Sequence, residues 1–177
     1  MVEEISYGPG SMGLCIVEDR RKEVLTPDFL RAAILAIQDR VSALPGAVLG
    51  DSDLCPLKHS FAPGVYVREI FIPAGVIIVG KIHKHEHPNF LMKGRVSVIT
   101  EQGGVEELAA PLSMISPAGT KRVVVAHEDT VWITIHQTTE TDLEKIEEEI
   151  IAKSFEDYER FKGLTVETRE ELPCHGE

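Results

Sequence analysis

The chain has 177 residues, 43% hydrophobic and 27% charged, with a formal net charge of −11. That length is enough for one domain with a real core and appended helices. An acidic chain without a Lys/Arg cluster is a poor match for nucleic acid or an anionic membrane surface, because phosphate neutralisation supplies most of that affinity, and no apolar run reaches the ~18 residues of a membrane span.

The first residues, Met1-Val2-Glu3-Glu4, are acidic where a signal peptide is basic, and no apolar stretch follows, so a cytoplasmic protein is expected. Cys15, Cys55 and Cys174 are far apart and odd in number, which predicts reduced thiols and no disulfide framework. Residues 1–22 read as an irregular arm, with a turn at Gly8-Pro9-Gly10-Ser11, a short strand at Leu14-Cys15-Ile16-Val17 and a solvated run at Asp19-Arg20-Arg21-Lys22.

A helix begins near Thr26. Thr26 suits the N-cap, Pro27 the first helical position, and Asp28 complements the helix dipole. Leu30, Ile34, Ile37, Val41 and Leu44 then form one apolar stripe, and Pro45-Gly46 ends it. The stripe packs on a core or on a partner subunit and carries no chemistry.

From about Phe61 the texture is β. Strands are predicted over 65–72, 76–83, 96–100, 105–108, 112–115, 121–126 and 131–136, with a further segment at Phe90-Leu91-Met92 leading to Gly94. Pro73-Ala74-Gly75, Gln102-Gly103-Gly104 and Pro117-Ala118-Gly119 read as turns. Short strands at this spacing make a sandwich or barrel. A second helix opens at Thr141-Asp142 with Leu143, Ile146, Ile150, Ser154, Tyr158 and Phe161 on one face. Glu147-Glu148-Glu149 is its solvated side, and a tail starts near Gly163. The expected organisation is therefore an arm and amphipathic helix over 1–60, a barrel over 61–137, and an acidic helix and tail over 138–177, in one domain.

Three of the seven histidines, His83, His85 and His87, fall within five residues. Imidazole is the commonest side-chain metal ligand. Residues two apart on a strand share a face, but residues four apart lie ~13 Å from each other, whereas a first-row metal holds its nitrogens at ~2.0–2.1 Å. One ion is shared by all three only if the strand bends, and Pro88 marks the place for a bend. Two of the three are therefore expected as ligands, with others from elsewhere. His136 ends Trp132-x-Thr134-x-His136, one face of the last strand, and is either a further ligand or a half-buried histidine bonded to backbone. His127 in Ala126-His127-Glu128-Asp129 reads as a solvated turn residue, and His59 as structural or at the rim of a cavity.

Residues 61–137 resemble a cupin. The family's first motif runs Gly, a stretch, His-x-His, three or four residues, Glu, six residues, Gly; its second runs Pro-x-Gly, two residues, His, three residues, Asn. Pro73-Ala74-Gly75, His83-Lys84-His85, Gly94 and Pro117-Ala118-Gly119 carry the likeness. The resemblance implies a mainly β fold, a cupin-like antiparallel β-barrel (double-stranded β-helix) flanked by N-terminal and C-terminal helices. It also implies a divalent transition metal (Zn, Ni, Fe or Mn), a small-molecule ligand and a homodimer.

The motifs depart from the family pattern. Arg122 stands where the second motif has its His, and Ala126 where it has its Asn. Anchored on His-x-His, the first motif gives His83 and His85 as ligands and Asn89 in place of Glu. Anchored on Gly94, it gives His83 and His87, with Lys81 in place of the first His; this register is preferred, because a hairpin glycine is a backbone constraint. The candidate ligand set is His83 and His87, with His136 or His85. If Arg122 points inward, its guanidinium suits a carboxylate or phosphate and opposes a nearby cation. Two functions remain open: a cupin binding a metal or small ligand through its histidines, including a metal-dependent enzyme, or a non-catalytic binding or structural module without metal. Neither substrate nor reaction is legible.

Overall fold

Ten strands lie between Leu57 and Gln137: β1 (Leu57–Ala62), β2 (Val65–Ile72), β3 (Ile77–Val79), β4 (Ile82–His83), β5 (His87–Lys93), β6 (Arg95–Thr100), β7 (Gly104–Ala109), β8 (Leu112–Ser116), β9 (Arg122–Ala126) and β10 (Thr130–Gln137). This computed structural model describes residues 26–170; the expected Leu14–Val17 strand, Cys15 and Cys174 lie outside the described residues. β1 starts four residues before the expected boundary because Leu57–Ala62 pairs with Val65–Ile70 across the turn at Pro63-Gly64.

Nine of the strands form two antiparallel sheets, ordered β1-β2-β10-β5-β8 and β3-β9-β6-β7, and β4 pairs outside them. Without β1, these are the interleaved four-stranded sheets of a jelly roll, the double-stranded β-helix of cupins. The expected fold is present, as two facing sheets rather than a cylinder closed by hydrogen bonds. Side chains alternate along each strand, so Ile72, Leu91, Val96, Val98, Val124, Ala126 and Trp132 meet between the sheets as one core. Gly94 joins β5 to β6 at φ +90, and a Cβ there would lie 2.6 Å from Thr130 Oγ1 and 2.7 Å from the Asp129 carbonyl oxygen. Only glycine fits that crossing.

Helix α1 (Pro27–Ser42) is capped by Thr26, whose hydroxyl accepts from the Phe29 amide at 3.2 Å. It lies against β3, β6 and β9. Val123, of opposite parity to the core residues Val124 and Ala126, is buried on this outer face. Leu30 and Ile34 are buried, but Ile37 and Val41 only partly.

Two predicted elements are divided. The expected 76–83 strand breaks at Gly80-Lys81, where the Gly80 amide donates to the Arg122 carbonyl at 2.8 Å and Lys121 Nζ donates to the Gly80 carbonyl at 2.8 Å. The expected C-terminal helix splits into α2 (Leu143–Ile150), the short strand β11 (Ile151–Ala152) and α3 (Phe155–Glu170). The extended Ile151-Ala152 pair bonds to Ile82-His83 in β4. Ser154 restarts the helix, its hydroxyl accepting from the Asp157 amide at 3.1 Å. The apolar spacing continues across the break, which is why it reads as one helix. α3 also runs through Gly163 to Glu170 instead of ending there; an exposed helical glycine costs only ~1 kcal/mol. Among the described residues no helix is long and apolar enough to cross a membrane.

Ile34 is fully buried, so Ile34→Asp places an unpaired carboxylate in the core and is expected to cost ~3 kcal/mol or more. Urea unfolding measures this directly. An unchanged midpoint would mean that the stripe is not packed.

Candidate metal centre

Strand register divides the space between the sheets into an apolar half and a polar half. Trp132 pairs with Ile70 and Leu91, Thr134 with Arg68 and Asn89, and His136 with Tyr66. Inward columns therefore run Ile72-Ile70-Arg68-Tyr66 on β2, Leu91-Asn89-His87 on β5 and Trp132-Thr134-His136 on β10. On β8 and β9 the columns are Leu112-Met114-Ser116 and Ala126-Val124-Arg122. Every column passes from apolar to polar in the same direction.

At the polar end three imidazoles converge. Ring centroids are 4.3 Å apart for His83 and His87, 4.7 Å for His87 and His136, and 5.0 Å for His83 and His136. One ring nitrogen from each lies within 4.8 Å of the other two. Nitrogens sharing an ion at ~2.1 Å each sit within ~4.2 Å of one another, so the cluster is close to that spacing. His83 Nδ1, His87 Nε2 and His136 Nε2 are buried and have no hydrogen-bond partner. His87 Nδ1 lies 3.0 Å from the His85 carbonyl oxygen; donation there puts the proton on Nδ1 and leaves the Nε2 lone pair free. Burial lowers all three imidazole pKa values. His83 falls well below the usual histidine range, with the charges of His87, His136, Arg122 and Arg68 adding to burial. In His87 the backbone bond opposes part of the shift. His136 is pushed down to about 4 by burial, then by His87, Arg68 and His85. At neutral pH the cluster is uncharged, the form that ligates metals.

The bend anticipated at Pro88 comes earlier. β4 ends at His83, the chain turns through residues 84–86, and β5 begins at His87. His83 and His87 face each other across this turn. His85, at its tip, is exposed with its ring edge-on to Phe161 at 5.2 Å and lies outside the cluster. Lys81 is also outside, paired with Glu147 at 2.5 Å. His127 bonds Ser97 Oγ at 2.7 Å. His59 Nδ1 lies 2.7 Å from the Tyr66 hydroxyl, and the Tyr66 ring stacks in turn on His136 at 6.1 Å.

Arg122 points inward. Its guanidinium donates to Ser116 Oγ and lies 5.4 Å from the Trp132 ring centroid. Burial lowers its pKa to about 10, still charged at neutral pH. Asn89 is fully buried and its amide is spent: Nδ2 donates to Ser116 Oγ at 2.7 Å and to the His87 carbonyl at 3.2 Å, while Oδ1 accepts from Trp132 Nε1 at 2.9 Å. Sequence reasoning missed Ser116, Tyr66 and Arg68. For Tyr66 and Arg68 a signal existed, since both share parity with the core residues Ile70 and Ile72. Ser116 carried none.

No protein-family model matches the sequence, and no curated protein matches it. Solved structures with a similar fold include KdgF from Halomonas sp., with 16% identity over 54% of this chain and 90% of that one and a TM-score of 0.45. Another is ectoine synthase from P. lautus, with 13% identity over 56% and 75% and a TM-score of 0.47. A third is an RmlC-like cupin with a double-stranded β-helix fold from Methanocaldococcus jannaschii, with 11% identity over 52% and 87% and a TM-score of 0.42. The likeness is one of fold alone.

The lowered imidazole pKa values make stability depend on acid. Below ~6.5 the unfolded chain's histidines take up protons while the folded cluster stays neutral, so folding loses stability as pH falls from there towards about 4, where His136 titrates. Thermal unfolding of metal-free protein across this range is expected to show a falling midpoint, and His136→Gln to flatten the slope. The same slope in both would mean that His136 is not held neutral by the fold.

Proposed function

We propose that this chain, which has the cupin fold, binds one divalent transition metal through His83, His87 and His136 and presents it to a small molecule at the polar end of the barrel. The observation that supports this reading is the convergence of three buried ring nitrogens with no hydrogen-bond partner. A buried polar atom left unpaired costs ~1–3 kcal/mol, and a shared ion satisfies all three at once. Imidazole donors suit Zn, Fe and Ni, and three protein ligands leave coordination positions open. A metal so held supplies Lewis acidity or a bound water of lowered pKa.

The surrounding residues have separate tasks. Asn89 anchors the His87 carbonyl and thereby the start of β5. Tyr66 supports the His136 ring, and Ile146 and Ile150 of α2 bury against Tyr66. Pairing of β4 with β11 holds the His83 backbone. Burial raises the Tyr66 pKa, and its hydroxyl is hydrogen-bonded to His59 Nδ1 at 2.7 Å.

Metal uptake tests the reading. Protein purified without a His tag and stripped with EDTA is titrated with Zn²⁺, Ni²⁺ or Fe²⁺. One equivalent is expected to bind, and weakly, because the inward Arg122 guanidinium opposes a nearby cation. His83→Ala, His87→Ala and His136→Ala should each weaken binding by more than the ~10–100-fold typical of an outer-shell change, while His85→Ala should leave it unchanged. Negligible uptake by the wild type would leave the metal-free binding module.

A further inference from the structure

Two arginines, Arg122 and Arg68, stand on inward columns at the polar end of the lumen, and neither has an ion pair among the described residues. Arg122 shares its inward parity with the core residues Val124 and Ala126, and among the described residues its side-chain hydrogen bond goes to Ser116 Oγ, an uncharged partner. Arg68 shares its face with Ile70 and Ile72, opposite Thr134. Its guanidinium has no hydrogen bond or ion pair among the described residues, yet its charge is felt at Tyr66, His83 and His136. Acids outnumber bases, 29 to 18, and several other cations are ion-paired: Arg31 with Glu101 at 2.7 Å, Lys81 with Glu147 at 2.5 Å, Arg95 with Glu128 at 3.6 Å. Arg122 differs from the exposed lysines that lack an ion pair among the described residues in lying on an inward column beside the buried histidines.

The three-histidine cluster holds no carboxylate, and neutral imidazoles add no negative charge. The lumen is therefore cationic without a metal and more so with one. A desolvated cation without a partner is costly, and such a group is retained where a ligand supplies the opposite charge. A guanidinium presents parallel N–H groups that match two oxygens of a carboxylate or phosphate. Trp132 and Ser116 restrict its plane and position, so the fork is preorganised. Beyond Trp132 the lumen gives way to the apolar cluster of Leu91 and Val124.

We infer that the ligand of this site is a small organic anion whose carboxylate or phosphate group is held by Arg122, with Arg68 nearby, beside the three histidines. The inference deepens the metal-binding reading and rests on it only for a second contact, from the anion to the metal. The arginine contact stands without it.

The chain has a single tryptophan, Trp132, directly against Arg122, so its emission reports on the proposed contact. Metal-free full-length protein is titrated at constant ionic strength with oxalate, malate and inorganic phosphate, with calorimetry alongside. At least one anion is expected to give a saturable change. Arg122→Gln should weaken it tenfold or more, Arg122→Lys less, since charge is kept and the fork lost, and Arg68→Gln should weaken it measurably. Carboxylates without phosphate, or phosphate without carboxylates, would each support the inference and identify the acid. His83→Ala/His87→Ala should retain anion binding in the metal-free state, so failure of the metal reading and failure of this one are separable. Arg122→Gln should melt no lower than wild type without anion, because it removes an unpaired buried charge. No saturable response in the wild type, equal affinity in Arg122→Gln, or a lower melting point of that variant with unchanged anion affinity would overturn the inference.

Discussion

The turn between His83 and His87 is the constraint on which the site depends. Four residues of extended chain separate side chains by ~13 Å, yet these two rings lie 4.3 Å apart. The chain reverses within residues 84–86, and both ends of the reversal are tied down. On one side, His83 pairs with Ile151 and its carbonyl accepts from the Gly119 amide at 2.7 Å. On the other, His87 pairs with Ser116 in β8. The Lys84 amide donates to the Ile150 carbonyl at 2.8 Å within the turn itself. The C-terminal segment thus does more than cover the sheet: it supplies the backbone partner for β4, which the main sheets leave without one.

Apolar packing carries the stability that lets the polar end exist. Ile72, Leu91, Val96, Val98, Val124, Ala126 and Trp132 form a continuous floor. The floor and the polar end meet at Asn89, whose amide links Trp132 to Ser116 and the His87 backbone. A buried amide with its donors and acceptor used is inexpensive, whereas unpaired imidazole nitrogens are not. Unsatisfied polarity is confined to one end of the lumen, next to two arginines without counter-ions. That concentration differs from an ordinary core, in which polar groups are scattered and paired.

The charge distribution follows the same division. The surface is acidic, and several of its cations, among them Arg31, Lys81 and Arg95, are paired with Glu side chains. Along the Glu147–Glu149 run, Glu147 meets Lys81, the Thr138 hydroxyl donates to Glu149 at 2.6 Å, and Lys84 Nζ donates to the Glu148 backbone carbonyl at 2.6 Å. The three-histidine cluster in the lumen includes no carboxylate. An interior of opposite sign to the exterior attracts small anions once they enter, and an acidic surface disfavours large polyanions.

Sequence alone determined what depends on local periodicity and turn chemistry. Thr26-Pro27 begins a helix, and alternation with Gly- and Pro-bearing turns marks the short strands of a sandwich or barrel, which the resemblance to cupins narrows to theirs. Alternation leaves open which face of each strand is the core; the structure puts Val96, Val98, Val124 and Trp132 there. The cluster of imidazoles was visible as a density of one residue type, and Gly94 pointed to the register that takes His87 rather than His85. The continuation of apolar spacing through Ile150 and Ile151 concealed a strand, because i, i+4 spacing cannot distinguish one helix from two interrupted by two extended residues. Only the tertiary structure decided which histidines meet, because His136 comes from a strand almost fifty positions away and His83 is placed by pairing with Ile151. It alone decided that Arg122 faces inward without an acid, and that Arg68 joins it, since the direction of a side chain on a strand depends on register, and register is set by contacts distant in sequence.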